Sequence, residues 1–225
     1  MVIRVKVEWA FLAAFALALT GCGEGESPAM QALDEAQVDG SREAAGSSAA
    51  EDCLLVIWDA REKAGDFVGE SERDYDRSHD AAEGGAISCA TATSASQFEK
   101  TLKALRDAAT SGDRAATLAE AGIPLLFIGE DGTIRELTEA AMLEEAFDEV
   151  FTQNTLDRMR SLALEQMTVI PDKGAFFDLG ALWLVVPETG ARPKLVTVNS
   201  QAAAEAAAAA LAQAQAGEET GPEQD

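Results

Sequence analysis

Gly174-Ala175-Phe176-Phe177-Asp178-Leu179-Gly180-Ala181-Leu182-Trp183 is the stretch from which the rest of the chain is best read. Two apolar runs flank Asp-Leu-Gly, residue types that suit a tight turn between strands. Strands joined by so short a connection pair antiparallel. The pattern continues on both sides. Met167 to Ile170 precedes the turn Pro171-Asp172-Lys173, and Ala181 to Val186 follows Gly180. Lys194 to Asn199 comes after the break from Glu188 to Pro193. These runs predict an antiparallel meander at the C-terminal end of the foldable region.

Upstream the period changes. Ser96 and Glu99 have capping-box spacing, and Phe98, Leu102, Leu105 and Ala109 recur at helical intervals before Ser111-Gly112. Asp113 is placed to cap a second helix ending at Gly122. Pro124 to Ile128 reads as a strand. Gly129-Glu130-Asp131-Gly132 is a turn, and Thr133 to Leu137 is its partner. Thr138 is expected to cap a third helix with Leu143, Phe147, Val150 and Phe151 on one face, and Thr155 to Leu164 a fourth. Residues 53–58 form a dense apolar run that suits either a strand or a buried helix, and a helix through Lys63 is favoured. Gly65 to Ala95 is polar and glycine-bearing and reads as a long loop. Helices, a hairpin, further helices and a meander make an α+β layer, with helices packed on one face of a curved antiparallel sheet. In that arrangement Phe147 and Trp183 belong to one core.

The stretch from Phe98 to Asn199 resembles small proteobacterial proteins of the nuclear-transport-factor-2-like fold. The resemblance rests on Ile123-Pro124-Leu125-Leu126-Phe127, on Phe147-Asp148-Glu149-Val150-Phe151-Thr152, on Gly174 to Trp183, and on Leu195-Val196-Thr197-Val198-Asn199. It covers about half the chain and implies a cone of helices around a curved sheet. It says little about activity, because one fold hosts enzymes, binders and scaffolds.

The termini differ from this core. Arg4 and Lys6 precede an apolar run from Trp9 to Leu19, which Thr20 and Gly21 close, as in a secretory signal. The run is about half the ~20 residues that span a bilayer. Leu19-Thr20-Gly21-Cys22 resembles the lipobox of bacterial lipoproteins. The resemblance implies lipid on the Cys22 sulfur, cleavage after Gly21, and anchoring of the mature chain to a membrane. It also implies sorting to the outer membrane facing the periplasm, because Gly23 stands where an aspartate would favour the inner one. The expected organisation is a signal peptide over 1–21 and a lipidated tether over 22–50. A globular domain over 51–201 and an Ala/Gln-rich tail over 202–225, helical and then disordered, complete it.

The chain carries a net charge of −23 and a pI of about 4.2. Such acidity disfavours nucleic acid as a partner. It also leaves attachment to the membrane to lipid rather than to charge. With Cys22 assigned to lipid, two of the three cysteines remain. Cys53 and Cys89 read as a disulfide in an oxidising compartment, or otherwise as two unrelated thiols.

Catalytic chemistry has few residues to draw on. His79 is the single histidine, in a charged segment that reads as a solvated loop, so neither a Ser-His-Asp site nor a multi-histidine zinc site is expected. Asp74, Asp76, Ser78 and Asp80 alternate like a calcium loop, but His79 and Gly85 occupy the positions of its glycine and glutamate. No metal or cofactor is expected. Asp178 reads as a turn residue, or as a pocket base with a raised pKa. Trp183 reads as core, or as a pocket lining. Arg135 and Asn199 complete the polar set that a cone-shaped pocket would offer. The function expected is a non-enzymatic binding module for an envelope protein or a ligand. The alternative is a small pocket enzyme of isomerase or hydrolase type, built from Asp178, Arg135, Asn199 and Trp183.

Overall fold

The computed structural model describes residues 48–219. Its first helix, α1, is described over 48–63, as expected through Lys63. Leu54, Ile57, Trp58 and Arg61 recur at helical spacing and are buried, while Asp52, Leu55, Val56 and Asp59 are exposed.

The segment from Gly65 to Ala95 is not a loop. It contains α2 (Glu70–His79), the hairpin strands β1 (Ala81–Ala82) and β2 (Gly85–Ala86), and α3 (Ile87–Thr91). The sequence hid α2 because the helix has no apolar stripe; Asp76 is its one buried residue. Buried hydrogen bonds to Asp76, the packing of Tyr75 on the core and complementary charge hold it instead. Glu70 and Glu72 occupy the first turn and Arg77 and His79 the last, the signs the helix dipole favours. Glu72, Arg73 and Arg77 pair with Arg61, Glu62 and Glu51 of α1.

α4 (Ala95–Ser111) and α5 (Arg114–Glu120) follow. Phe98, Leu102, Leu105 and Ala109 line the buried face of α4, as their spacing requires. Gly112 ends the helix in the left-handed region, at φ 69°. The capping box at its start is not formed. Glu99 pairs with Arg106, and the Ser96 amide donates to the Asp76 carboxylate of α2 at 2.8 Å. The cap comes from 20 residues away, beyond the reach of a local motif. Asp113 caps α5 by accepting from the Ala116 amide.

β3 (Ala121–Ile128) and β4 (Ile134–Leu137) form the expected hairpin. The third helix breaks at Ala146 into α6 (Ala140–Glu145) and α7 (Phe147–Val150), and Glu139, not Thr138, is its N-cap. α8 (Gln153–Ser161) is capped by Thr152. β5 (Thr168–Ile170), β6 (Gly174–Phe177), β7 (Leu182–Val185), β8 (Lys194–Asn199) and α9 (Ser200–Glu219) complete the order. The sheet runs β4-β3-β8-β7-β6-β5. β5 to β8 are the antiparallel meander, but β8 lies parallel to β3. The fold is α+β with a mixed sheet, which corrects the wholly antiparallel one. Short turns dictate only the pairing of sequence neighbours, and β3 and β8 are far apart in the chain. The β7–β8 pairing passes over Val196, as a one-residue bulge does, and the β3–β8 pairing is irregular between Ala121 and Leu126.

Phe98, Leu102 and Leu105 of α4 pack in one core with Leu125, Phe177, Leu182, Leu184 and Leu195 of the sheet, and with Leu143, Phe147, Val150 and Met159 of α6 to α8. Phe147 belongs to it and Trp183 does not. Leu182 and Leu184 point inward, so Trp183 lies half-buried on the opposite face, its ring 5.0 Å from that of Phe176. The expected Phe147–Trp183 core is thereby corrected. Both alternating sets along β7 are apolar, so hydrophobicity alone does not choose which faces in. A smaller cluster of Leu54, Trp58 and Val68 joins α1 to the start of α2. A disulfide between Cys53 and Cys89, with Cα atoms 5.3 Å apart, ties α1 to α3.

Candidate functional site

The four residues expected to share a pocket are held by four separate arrangements. Asp178 stands in the β6–β7 turn at φ 50° and pairs with Arg158 at 2.9 Å. Asn199 ends β8, and its side-chain oxygen accepts from the Ala202 amide, capping α9. Trp183 lies on the outer sheet face against Phe176. Arg135 of β4 donates through Nη1 to both carboxylate oxygens of Glu149, at 3.0 and 2.8 Å. Their roles are a turn, a cap, a stacking pair and an ion pair. Each of these side chains is engaged by a partner of its own: Arg158, the Ala202 amide, Phe176 and Glu149. Nothing in the local sequence paired these residues, and the side on which Trp183 faces is set by the sheet.

Arg135 does mark a concave region. Its guanidinium lies 5.8 Å from the Phe127 ring centroid. Together with Glu149 it borders two clefts. One, of about 470 Å³, is walled by Glu136, Leu137, Met142, Glu145 and Ala146. The other, of about 480 Å³, is walled by Glu130, Asp131, Thr133, Thr152 and Ser200. In the second, hydrogen bonds from the amide and hydroxyl of Thr133 hold the Asp131 carboxyl below the usual range. Both clefts set carboxylates beside apolar side chains, Leu137, Met142 and Ala146 in the first and Phe127 in the second.

A further ionic cluster, which sequence reading missed, lies between α1, α2 and α4. Arg61 is 2% exposed and donates to Asp66 and to Glu72 at 2.9 Å. The Gln97 amide oxygen, turned toward Arg61, accepts from it at 2.8 Å. Glu72 also accepts from Lys100 and from the Ser96 hydroxyl, each at 2.9 Å. Gly190 closes over the cluster at φ 80°, where a Cβ would come within 2.8 Å of Arg61 Cγ. The cleft beside it, of about 480 Å³, also holds Lys100 and Arg192. Arg192 is engaged by Glu120, so each of the three cations there is neutralised. The only advance signal was an arginine on the apolar face of a helix.

Burial would raise the Glu72 pKa, but hydrogen bonds from Lys100, Arg61 and Ser96 outweigh it and hold the carboxyl at about 2, against 4.5 for an ordinary glutamate. A lowered folded-state pKa stabilises the fold above the unfolded value, and this is lost as the pH falls through the folded one. We therefore expect Glu72 to stabilise the fold at neutral pH and to lose that contribution between about pH 4.5 and pH 2. Urea titrations across that window should show a flatter acid limb for Glu72→Gln. An unchanged limb would contradict the assignment.

His79 is not in a solvated loop. It closes α2, its ring stacks on Tyr75 at 4.1 Å, and Nδ1 lies 2.9 Å from the Tyr75 carbonyl oxygen. The Ser78 hydroxyl also lies 2.9 Å from Nδ1, and it reaches the Asp74 and Tyr75 carbonyl oxygens within the same helix turn. Asp76 and Asp80, members of the calcium-like alternation, are instead buried as caps for the Ser96 and Ser88 amides. Among the described residues no cluster of His, Cys, Asp and Glu could hold a metal ion. Cys22, the expected lipid attachment point, lies outside the described residues. Among the described residues no helix is long and apolar enough to cross a membrane.

Compared with protein-family models, curated proteins and solved structures, the chain matches none.

Proposed function

We propose that this chain is an envelope lipoprotein, anchored through lipid on Cys22 and facing the periplasm from the outer membrane, whose domain is a non-enzymatic binding module. The observation that carries the second half is the filling of the interior. A pocket enzyme of isomerase or hydrolase type needs polar groups converging in a concave site. Here the space between helices and sheet is taken up by Phe98, Leu102, Leu125, Phe177, Leu184 and their neighbours, and the polar candidates are committed elsewhere. The anchor rests on the n-region, the apolar run and Leu19-Thr20-Gly21-Cys22. The nuclear-transport-factor-2-like cone is supported by the element order of hairpin, helices and meander, and by a bulge at Val196, a feature that bends strands.

The test is site-specific photocrosslinking in cells, on the lipidated full-length protein, with the probe at the exposed apolar positions Leu55, Ile134 and Leu179. A discrete adduct with one envelope protein, dependent on probe position and lost with Cys22→Ser, is the expected result. No adduct at any of the positions would count against the module.

A further inference from the structure

The two edges of the sheet are treated differently. At the β5 edge the chain covers itself. The Val169 amide donates to the Glu83 carbonyl oxygen at 2.7 Å, and the Thr168 hydroxyl reaches the Glu83 side chain. Gly84 packs so closely that a Cβ would fall 2.1 Å from the Val169 carbonyl oxygen. The β4 edge has no such cover. In the β3–β4 hairpin the Gly129 amide bonds to the Thr133 carbonyl oxygen at 2.9 Å. Antiparallel ladders alternate, so Arg135 and Leu137 are the next residues bonded to β3. The N–H and C=O groups of Ile134 and Glu136 therefore point away from the sheet. Among the described residues no group bonds to them from that side.

What surrounds this edge states a preference. Ile134 is 67% exposed and Met142 40%. The cleft of about 470 Å³ runs alongside, floored by Leu137, Met142 and Ala146 and rimmed by Glu136, Glu145 and Glu149. Its single cation, Arg135, is taken by Glu149. Among the described residues Glu136 and Glu145 have no ion-pair partner.

We propose that β4 is a docking edge for an extended segment of another protein, one that alternates apolar and basic side chains and adds to the sheet as a further strand. This deepens the binding-module reading and rests on it. Main-chain pairing supplies affinity in such complexes, and alternate side chains supply selectivity. An apolar side chain would lie against Ile134 or Met142, and a lysine or arginine would meet Glu136 or Glu145. Charge selects among occupants. A second copy would bring another −23 chain and oppose β4 with its own glutamates. The chain's own 22–50 and 220–225 segments are acidic as well.

The probe is the fluorescent peptide Thr-Lys-Val-Lys-Val-Lys-Thr, titrated by anisotropy into the full chain in detergent. The expected result is saturable binding that weakens about tenfold with Glu136→Lys plus Glu145→Lys, and persists with Glu165→Lys at the far end of the sheet. N-methylation of alternate peptide amides should abolish it, because it blocks strand pairing. Circular dichroism confirms that each variant is folded. Binding indifferent to N-methylation, no binding at all, or β4-dependent self-association in sedimentation each overturns the edge. Peptide failure alongside a cellular crosslink at Leu55 or Leu179 overturns the edge alone, whereas the absence of any cellular crosslink overturns the module reading itself.

Discussion

Trp58→Ala is expected to destabilise the domain by about 3–5 kcal/mol, the usual penalty for emptying a buried aromatic site. Trp58 is 1% exposed and is the largest member of the small Leu54–Trp58–Val68 cluster. Its indole nitrogen donates to Asp76 at 2.8 Å inside the protein. The guanidiniums of Arg73 and Arg77 lie 5.0 and 5.1 Å from the ring centroid, adding a cation–π contribution. Asp76 is fully buried and also caps α4. Removing the indole therefore empties a site and takes one donor from a buried carboxylate. Trp58→Phe separates the two effects, since it keeps most of the volume and loses the hydrogen bond, at about 1–3 kcal/mol. Urea denaturation measures both. A Trp58→Ala variant within about 0.5 kcal/mol of wild type, the range of an ordinary surface change, would mean that α1 contributes nothing to the fold.

The second large effect concerns the bridge. Cys53 and Cys89 are 36 residues apart. Closing a loop of that size constrains the unfolded chain by about 3–4 kcal/mol in the chain-entropy model. Cys53→Ala with Cys89→Ala should lower stability by that amount and should loosen α1 first, because the main core lies elsewhere. Hydrogen exchange, read helix by helix, should show amides of α1 gaining the most. Equal stability of the two proteins, or free thiols that alkylate in the native wild type, would contradict the pairing.

Periodicity made part of this fold legible. The α4 stripe, the hairpin at Gly129 to Gly132 and the meander strands follow from spacing and turn chemistry that act over a few residues. Three features were out of reach for one physical reason: they are set by partners far away in sequence. α2 lacks an apolar stripe and depends on hydrogen bonds and ion pairs with α1 and α4. Asp76 caps a helix that begins 19 residues later. β8 enters the sheet parallel to β3, a pairing no local turn dictates. The candidate site was less legible still. Arg135 proved to lie at a cleft. Asp178, Trp183 and Asn199 were chosen as polar or aromatic residues near turns, and such residues are as often spent on turns, caps and surface stacking.

The most direct test of the account is the intact mass of the protein extracted from the membrane fraction, compared with Cys22→Ser. The account predicts a mature chain beginning at Cys22 and carrying lipid mass on that residue. It predicts an uncleaved, lipid-free product for the variant, because only a thiolate can be alkylated at this position. A wild-type protein that is lipid-free and begins at another residue would contradict it.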